Sequence, residues 1–128
     1  MGAPILIVDD DHDILETMRF VLECAGYHVA TAKNGAEALE RLRSEPTPCV
    51  IFLDLMMPVM NGWEFRAKQL DDPRLAAIPV IIMTGAGKSV ARAASADAAG
   101  LLEKPVDLDA LLSMAQLYCK TAAPRAST

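Results

Sequence analysis

The chain lacks the features that build membrane spans, secretion signals or nucleic-acid-binding surfaces. No uninterrupted apolar run reaches the roughly 18 residues that a membrane-spanning helix needs, and residues 1–4 are too short and uncharged for a signal peptide. With 12 Lys and Arg against 17 Asp and Glu, the net charge of -5 argues against binding to phosphate backbones. We therefore expect a soluble cytoplasmic protein that contacts neither membrane nor nucleic acid directly.

Cysteine is also scarce. Cys24, Cys49 and Cys119 are an odd number without C-x-x-C spacing, so neither a zinc site nor a disulfide framework is expected. Because free cysteine often behaves as a small core hydrophobe, we predict three free thiols that are buried or half-buried.

The chain has the size of one domain, since it has 128 residues and a hydrophobic content of 52%, enough for its own core. We assign this domain to residues 1–119. Residues 120–128 are poor in large apolar side chains and are predicted to be a flexible tail.

Apolar periodicity and turn residues predict strands that alternate with helices. The strands are predicted at residues 5–8, 27–31, 50–53, 79–84 and 101–103. Five helices are predicted. The first ends at Gly26, the second covers residues 34–43, the third carries Phe65 and Leu70, the fourth covers residues 89–99, and the fifth begins after Asp107. This alternation predicts an α/β fold, in which helices cover both faces of a doubly wound, parallel, five-stranded sheet.

Carboxylates follow two of the predicted strands. Asp9 and Asp10 follow the apolar run 5–8, and Asp54 follows the run 50–53. A flavodoxin-like strand order of 2-1-3-4-5 would bring all three to the carboxyl edge of the sheet, where ligands of such folds bind.

An acidic cluster of this kind calls for a cation. Two unit charges about 4 Å apart repel by about 4 kcal/mol at an effective dielectric near 20. Carboxylate oxygens suit a hard ion, and Mg²⁺ fits best because it keeps positions for water and phosphate oxygens. Helix capping is the simpler interpretation, and we prefer it for Asp11. It does not explain the carboxylate of Asp54 after a different strand.

The two remaining strand ends carry groups that suit a phosphoryl group. Thr84, at the end of the fourth strand, offers a hydroxyl, and Lys104, after the fifth, offers an ammonium. Phosphoryl transfer needs in-line positioning and neutralised equatorial oxygens, and a carboxylate can serve as its nucleophile.

Four segments, residues 7–10, 54–62, 83–85 and 103–105, together carry a resemblance to a known family. From Pro4 to about Tyr118 the chain resembles the receiver domain of bacterial two-component response regulators, which has a flavodoxin-like (βα)5 fold. The resemblance implies that Asp54 accepts a phosphoryl group from a phosphohistidine on a histidine kinase or a histidine phosphotransfer protein. Such a domain is not an enzyme in the usual sense, because it catalyses only its own phosphorylation and dephosphorylation.

The resemblance also implies how Mg²⁺ is held. Asp10 would bind the ion directly, Asp9 mostly through water, Met56 through its backbone carbonyl, and Asp54 as the acceptor itself.

The same resemblance assigns the phosphate contacts. Thr84 and Lys104 would hold phosphoryl oxygens, Gly85 would be the small residue that admits phosphate, and the bond from Lys104 to Pro105 would be cis.

Two departures from the family pattern concern switching and lifetime. Leu101 stands where the family usually has Tyr or Phe, an aromatic residue that swings inward when the threonine at the position of Thr84 moves. We therefore do not expect the standard rotamer switch, because leucine cannot bring a phenol to the partner surface. Met56 and Ala86 are apolar at the positions two beyond the acceptor and two beyond the threonine, so we expect slow loss of the phosphoryl group.

The signal is expected to pass through a shift of the surface around the 89–99 helix, the last strand and the last helix. With no output domain in the sequence, the chain would bind a downstream partner or would come from a larger regulator or hybrid kinase.

One alternative is a receiver-like interaction module whose partner binding does not depend on phosphorylation, motivated by Leu101. A more distant one is a P-loop nucleotide binder at residues 85–89, although Ile82 stands where that motif needs its first glycine.

Overall fold

The computed structural model of the protein describes residues 3–44, 46–85 and 98–119. Five parallel strands form one sheet in the order β2-β1-β3-β4-β5. They are β1 (Ile5–Val8), β2 (Val29–Ala32), β3 (Val50–Asp54), β4 (Val80–Thr84) and β5 (Gly100–Glu103). The predicted flavodoxin-like fold class and strand order are confirmed.

Four helices are present in the described part of the chain. They are α1 (His12–Cys24), α2 (Gly35–Ser44), α3 (Gly62–Asp71) and α4 (Leu108–Tyr118). The helix predicted over residues 89–99 falls almost entirely outside the described residues, as do the tail 120–128 and most of the 85–89 segment. None of the helices in residues 3–44, 46–85 and 98–119 is long and apolar enough to cross a membrane.

The two faces of the sheet carry separate apolar clusters because successive strand residues point to opposite faces. In β1, Ile5 and Ile7 pack into the cluster that α1 and α4 cover, whereas Leu6 and Val8 pack into the cluster on the other face, with α2 and α3. β1, β3 and β4 are buried along their whole length. This double burial explains why their sequences are unbroken apolar runs.

Local capping sets the helix ends. The Asp11 carboxylate accepts hydrogen bonds from the N–H groups of Asp13 and Ile14 and begins α1, a contact that stabilises a helix by about 1 kcal/mol. Asn61 and Glu64 form a reciprocal capping box at the start of α3. Gly26 has φ 99° just after α1, a conformation in which glycine has no steric cost.

The second strand starts two residues later than predicted. Tyr27 N–H still donates to Leu22 O at the end of α1, and ladder pairing begins when Ile5 N–H donates to His28 O at 2.8 Å. The start of the second strand is therefore set by its pairing with β1, and the apolar side chain of Tyr27 does not extend the strand to residue 27.

The cysteine prediction was wrong. Cys49 and Cys119 form a disulfide, with their Cα atoms 5.5 Å apart, and the free Cys24 is exposed. Cys49 immediately precedes β3, and Cys119 immediately follows α4. The fold brings together two residues that are 70 positions apart, a proximity that local spacing does not encode.

Candidate functional site

The sheet register brings the predicted site residues to one edge. Val8 pairs with Leu53, so the next residues, Asp9 and Asp54, lie side by side at the carboxyl ends of β1 and β3. On the other side of β3, Asp54 pairs with Met83 in β4, one residue before Thr84. Thr84 pairs with Glu103, and Lys104 follows directly.

Lys104 links the two buried carboxylates. Its Nζ lies 2.8 Å from Oδ2 of Asp9 and 3.2 Å from Oδ1 of Asp54. Its backbone N–H donates to Thr84 O at 3.0 Å, and the bond from Lys104 to Pro105 is cis. The lysine is thus held against the end of β4 by its main chain while its ammonium spans the acidic pair.

Burial and charge shift the ionisation of these groups. Asp54 is only 3% exposed, and its burial, together with the negative charge of Asp9, raises its pKa to about 6. Lys104 and the N–H of Met56 oppose this rise. Burial lowers the pKa of Lys104, but the carboxylates of Asp9 and Asp54 outweigh it, so that the pKa of this lysine stands above its usual value.

A third carboxylate completes an acidic pocket. Oxygen atoms of Asp9, Asp10 and Asp54 lie within 4.8 Å of one another, and Asp10 is exposed to solvent. The Oδ1 atom of Asp9 accepts a hydrogen bond from Asp11 N–H at 2.9 Å, which fixes the orientation of that carboxylate. Three carboxylates, one of them open to water, make a donor set that suits Mg²⁺.

The other predicted residues surround this pocket. Thr84 is buried, Met56 is 62% exposed in the connection after β3, and Leu101 is half-buried against the cluster that contains Ile82. A Cβ placed on Gly85 would lie 3.8 Å from the Cβ of Lys104, an ordinary contact. Packing against the described residues therefore does not demand glycine there.

The connection between β3 and α3 contains positions whose importance the sequence analysis missed. A Cβ on Gly62 would lie 2.6 Å from Asp54 O and 2.8 Å from Leu55 Cα, so only glycine lets α3 approach the end of β3. Val59 has φ 68°, which is strained for a β-branched residue. The sequence Asn61-Gly62 indicated a turn, but not that its glycine touches the backbone of Asp54.

An apolar groove of about 220 Å³ opens next to Lys104. Ile14 and Thr17 of α1 line one side, and Pro105 and Val106 line the other. The groove lies immediately beside the acidic pocket, because Lys104 lines the groove and also contacts Asp9 and Asp54.

The sequence and structure can be compared with known proteins. The sequence model of the response regulator receiver domain matches residues 5–116. The chain is 36% identical to a 14.6 kDa protein of Leptolyngbya boryana over 95% of this chain and 94% of that protein. It is 34% identical to the response regulator MprA of Mycobacterium bovis over 97% of this chain, but the chain spans only 54% of that relative.

Solved structures agree with the sequence comparisons. The chemotaxis protein CheY4 of Vibrio cholerae has a TM-score of 0.82 at 31% identity, with 91% of this chain and 98% of that chain covered. The receiver domain of a histidine kinase from Syntrophus aciditrophicus has a TM-score of 0.81 at 27% identity, with 97% and 98% covered.

A doubly wound parallel sheet with an acidic pocket at the carboxyl ends of its central strands defines a flavodoxin-like domain of the chemotaxis-regulator type. Within that class, the chain belongs to the response regulator receiver domain family of two-component signalling.

Proposed function

We propose that Asp54 accepts a phosphoryl group from a phosphohistidine on a histidine kinase or a histidine phosphotransfer protein, and that this modification switches partner binding. The proposal depends on one observation above all, the buried carboxylate of Asp54 whose Oδ1 lies 3.2 Å from the ammonium of Lys104. With a pKa of about 6, Asp54 is mostly ionised near neutral pH while its basicity, and hence its nucleophilicity, is increased.

In the proposed reaction, a carboxylate oxygen of Asp54 attacks phosphorus. A phosphorus–oxygen bond forms, the phosphorus–nitrogen bond to the donor breaks, and the imidazole keeps the electron pair. The ammonium of Lys104 and the N–H of Met56, both already directed at the Asp54 carboxylate, would neutralise phosphoryl oxygens. Thr84, at the end of the adjacent strand, would supply a hydroxyl donor, and Gly85 would leave room for the group.

The carboxylates of Asp9, Asp10 and Asp54 would hold Mg²⁺, with the backbone carbonyl of Met56 as a further ligand. The bound ion would offset the negative charge that gathers on the carboxylates and the phosphoryl oxygens. The buried Asp9, oriented by Asp11 N–H, would act mostly through a water molecule, whereas the exposed Asp10 would bind directly.

The phosphohistidine donor would dock against the groove between α1 and Pro105 to Val106, because this groove lies next to Lys104. Its apolar lining gives a donor helix an area to bury before the phosphoryl group is transferred. The domain would then be a phosphoacceptor that promotes only its own phosphorylation and dephosphorylation. It would act either with a separate downstream partner or as part of a larger regulator or hybrid kinase.

Mass spectrometry tests the proposal directly. After incubation with acetyl phosphate and Mg²⁺, the wild-type protein should gain the mass of one phosphoryl group. Asp54→Ala should gain nothing, while the matched control Asp71→Ala, which removes an exposed carboxylate of α3, should react like the wild type. Equal labelling of Asp54→Ala and the wild type would contradict the assignment.

With Met56 exposed and apolar, we also expect slow loss of the phosphoryl group, and a half-life of seconds with Mg²⁺ would contradict this.

Leu101 supports a second candidate, an interaction module that works without phosphorylation. Its side chain packs against the apolar cluster, and it has no phenol to bring to a partner surface. Comparing partner affinity with and without beryllofluoride, a mimic of the acyl phosphate, separates the two functions. Tighter or weaker binding supports the phosphorylation switch, and equal affinity supports the module.

A further inference from the structure

The disulfide between Cys49 and Cys119 lies at the opposite edge of the sheet from the acidic pocket. Cys49 precedes Val50, the first residue of β3, whereas Asp54 is its last, so the two edges are separated by roughly 16 Å at about 3.3 Å per residue. Cys49 N–H donates to Pro4 O at 2.9 Å, which fixes this cysteine beside the start of β1. The disulfide therefore attaches the end of α4 to the amino-terminal edge of the sheet.

Among the described residues, the end of α4 is held by packing and by the disulfide rather than by a helix cap. No basic residue lies in its last turn, and the chain leaves the helix at Cys119 with φ -128° and ψ 151°, without a glycine cap. Leu117 is 74% exposed, so its side chain adds little packing. Besides the covalent link, the last turn is held by the hydrogen bond from Cys119 N–H to Ala115 O at 2.8 Å and by the packing of Ala115, Tyr118 and Cys119 against the apolar cluster on this face of the sheet.

The two sulfur atoms differ in their surroundings. Cys49 is half-buried and Cys119 is 8% exposed, so Cys49 is the more exposed residue of the pair. The carbonyl oxygens of Pro4 and Ala3 lie 3.4 and 3.5 Å from Sγ of Cys49 and could accept its S–H bond after reduction. After reduction Cys49 would keep these polar partners, whereas Cys119 would lose its covalent link to the sheet and keep only its packing and its helix hydrogen bond.

We infer that Cys49 and Cys119 form a reversible thiol–disulfide site that attaches and releases the carboxyl end of α4. A dithiol reductant supplies the two electrons: its thiolate bonds to the sulfur of Cys49, the disulfide breaks, and Cys119 leaves as a thiolate that takes up a proton. The second thiol of the reductant then displaces Cys49, which also takes up a proton, and the reductant becomes a disulfide. This inference is independent of the proposed phosphoacceptor function.

Alkylation of the folded full-length protein with iodoacetamide tests the pairing first. In the oxidised protein only Cys24, which is free and exposed, should be labelled, and after dithiothreitol without denaturant all three cysteines should be labelled. Labelling of all three before reduction would overturn the pairing. A bond that dithiothreitol breaks only in denaturant would overturn reversibility, since the link would then be a permanent part of the fold.

Hydrogen exchange and melting test the consequence. Because the bond closes a segment of 70 residues, reduction should lower the Tm by roughly 10 °C, and oxidised glutathione should restore it. Backbone exchange should accelerate by about tenfold or more at residues 115–119, while the strands stay protected. Cys24→Ser should respond like the wild type, and the double variant Cys49→Ser, Cys119→Ser should have the lower Tm with or without dithiothreitol. A wild-type Tm that is the same with and without dithiothreitol would overturn the inference.

Discussion

Replacement of Asp54 by asparagine should stabilise the metal-free protein, although it removes the proposed acceptor. The pKa of Asp54 rises from 3.8 to about 6 because the carboxylate is buried beside the charge of Asp9. The folded protein therefore holds this proton more tightly than the unfolded chain does. The resulting stability is fully present below 3.8 and is lost as the pH rises through about 6.

The size of the effect follows from the shift. At about 1.4 kcal/mol per pKa unit, ionising Asp54 lowers the free energy of unfolding by about 3 kcal/mol above pH 6. The asparagine side chain has no charge to bury, but its amide pairs less well with Lys104, so we expect a gain of about 1 to 3 kcal/mol at about pH 7.5. For a domain of this size this raises the Tm by about 4 to 10 °C. At about pH 4.5 the wild-type carboxyl is largely protonated in the folded state, and the gain should fall to about 1 kcal/mol or less.

Thermal melts in a chelator, at both pH values, provide the assay. Asp71→Asn is the matched control, because it makes the same change in net charge on an exposed position of α3 and should shift the Tm by less than about 2 °C. The reasoning is refuted if Asp54→Asn melts no higher than the wild type at about pH 7.5, or if its gain is as large at about pH 4.5.

Three further predictions concern stability. Mg²⁺ at about ten times its dissociation constant should raise the wild-type Tm by about 5 °C in thermal melts, because the proposed site exists only in the folded protein. No rise with Mg²⁺ over Na⁺ of equal ionic strength would mean that the carboxylates do not form a site. Val59→Asn should raise the free energy of unfolding by about 1 kcal/mol in urea titrations. Val59 is exposed and has φ 68°, a conformation that asparagine tolerates better than valine. A loss of stability would contradict backbone strain at this position. Gln69→Leu should lower the free energy of unfolding by about 2 to 4 kcal/mol in the same assay. The reason is that the buried amide of Gln69 donates to Leu75 O at 3.0 Å and to Ile78 O at 3.1 Å. An unchanged urea midpoint would show that these carbonyls find other donors.

Strands buried on both faces were predictable, whereas the limits of the edge strand β2 were less so. The runs 5–8 and 50–53 have no polar alternation, which favours strands buried on both faces, and both are strands in the structure. The second strand lies at an edge of the sheet, where its limits depend on pairing with β1, and it was predicted two residues too early.

The candidate site was partly predictable for a similar reason. Parallel strands end at a common edge, so carboxylates after two central strands were expected to meet, and their oxygens do lie within 4.8 Å of one another. The need for glycine at Gly62 was not predictable, because it arises from the approach of α3 to the backbone of Asp54. The pKa of Asp54 likewise depends on burial and on distances that only packing sets.

Local chemistry by itself determined the alternation of strands and helices, the caps at Asp11 and Asn61, and which residue types follow each strand, since these depend on neighbours a few positions away. Tertiary structure alone decided that Lys104 lies between Asp9 and Asp54, and that Cys49 meets Cys119 across 70 positions. The physical reason is that both contacts join groups far apart in sequence, whose distances are set by the order and register of the strands and by how α4 packs on the sheet.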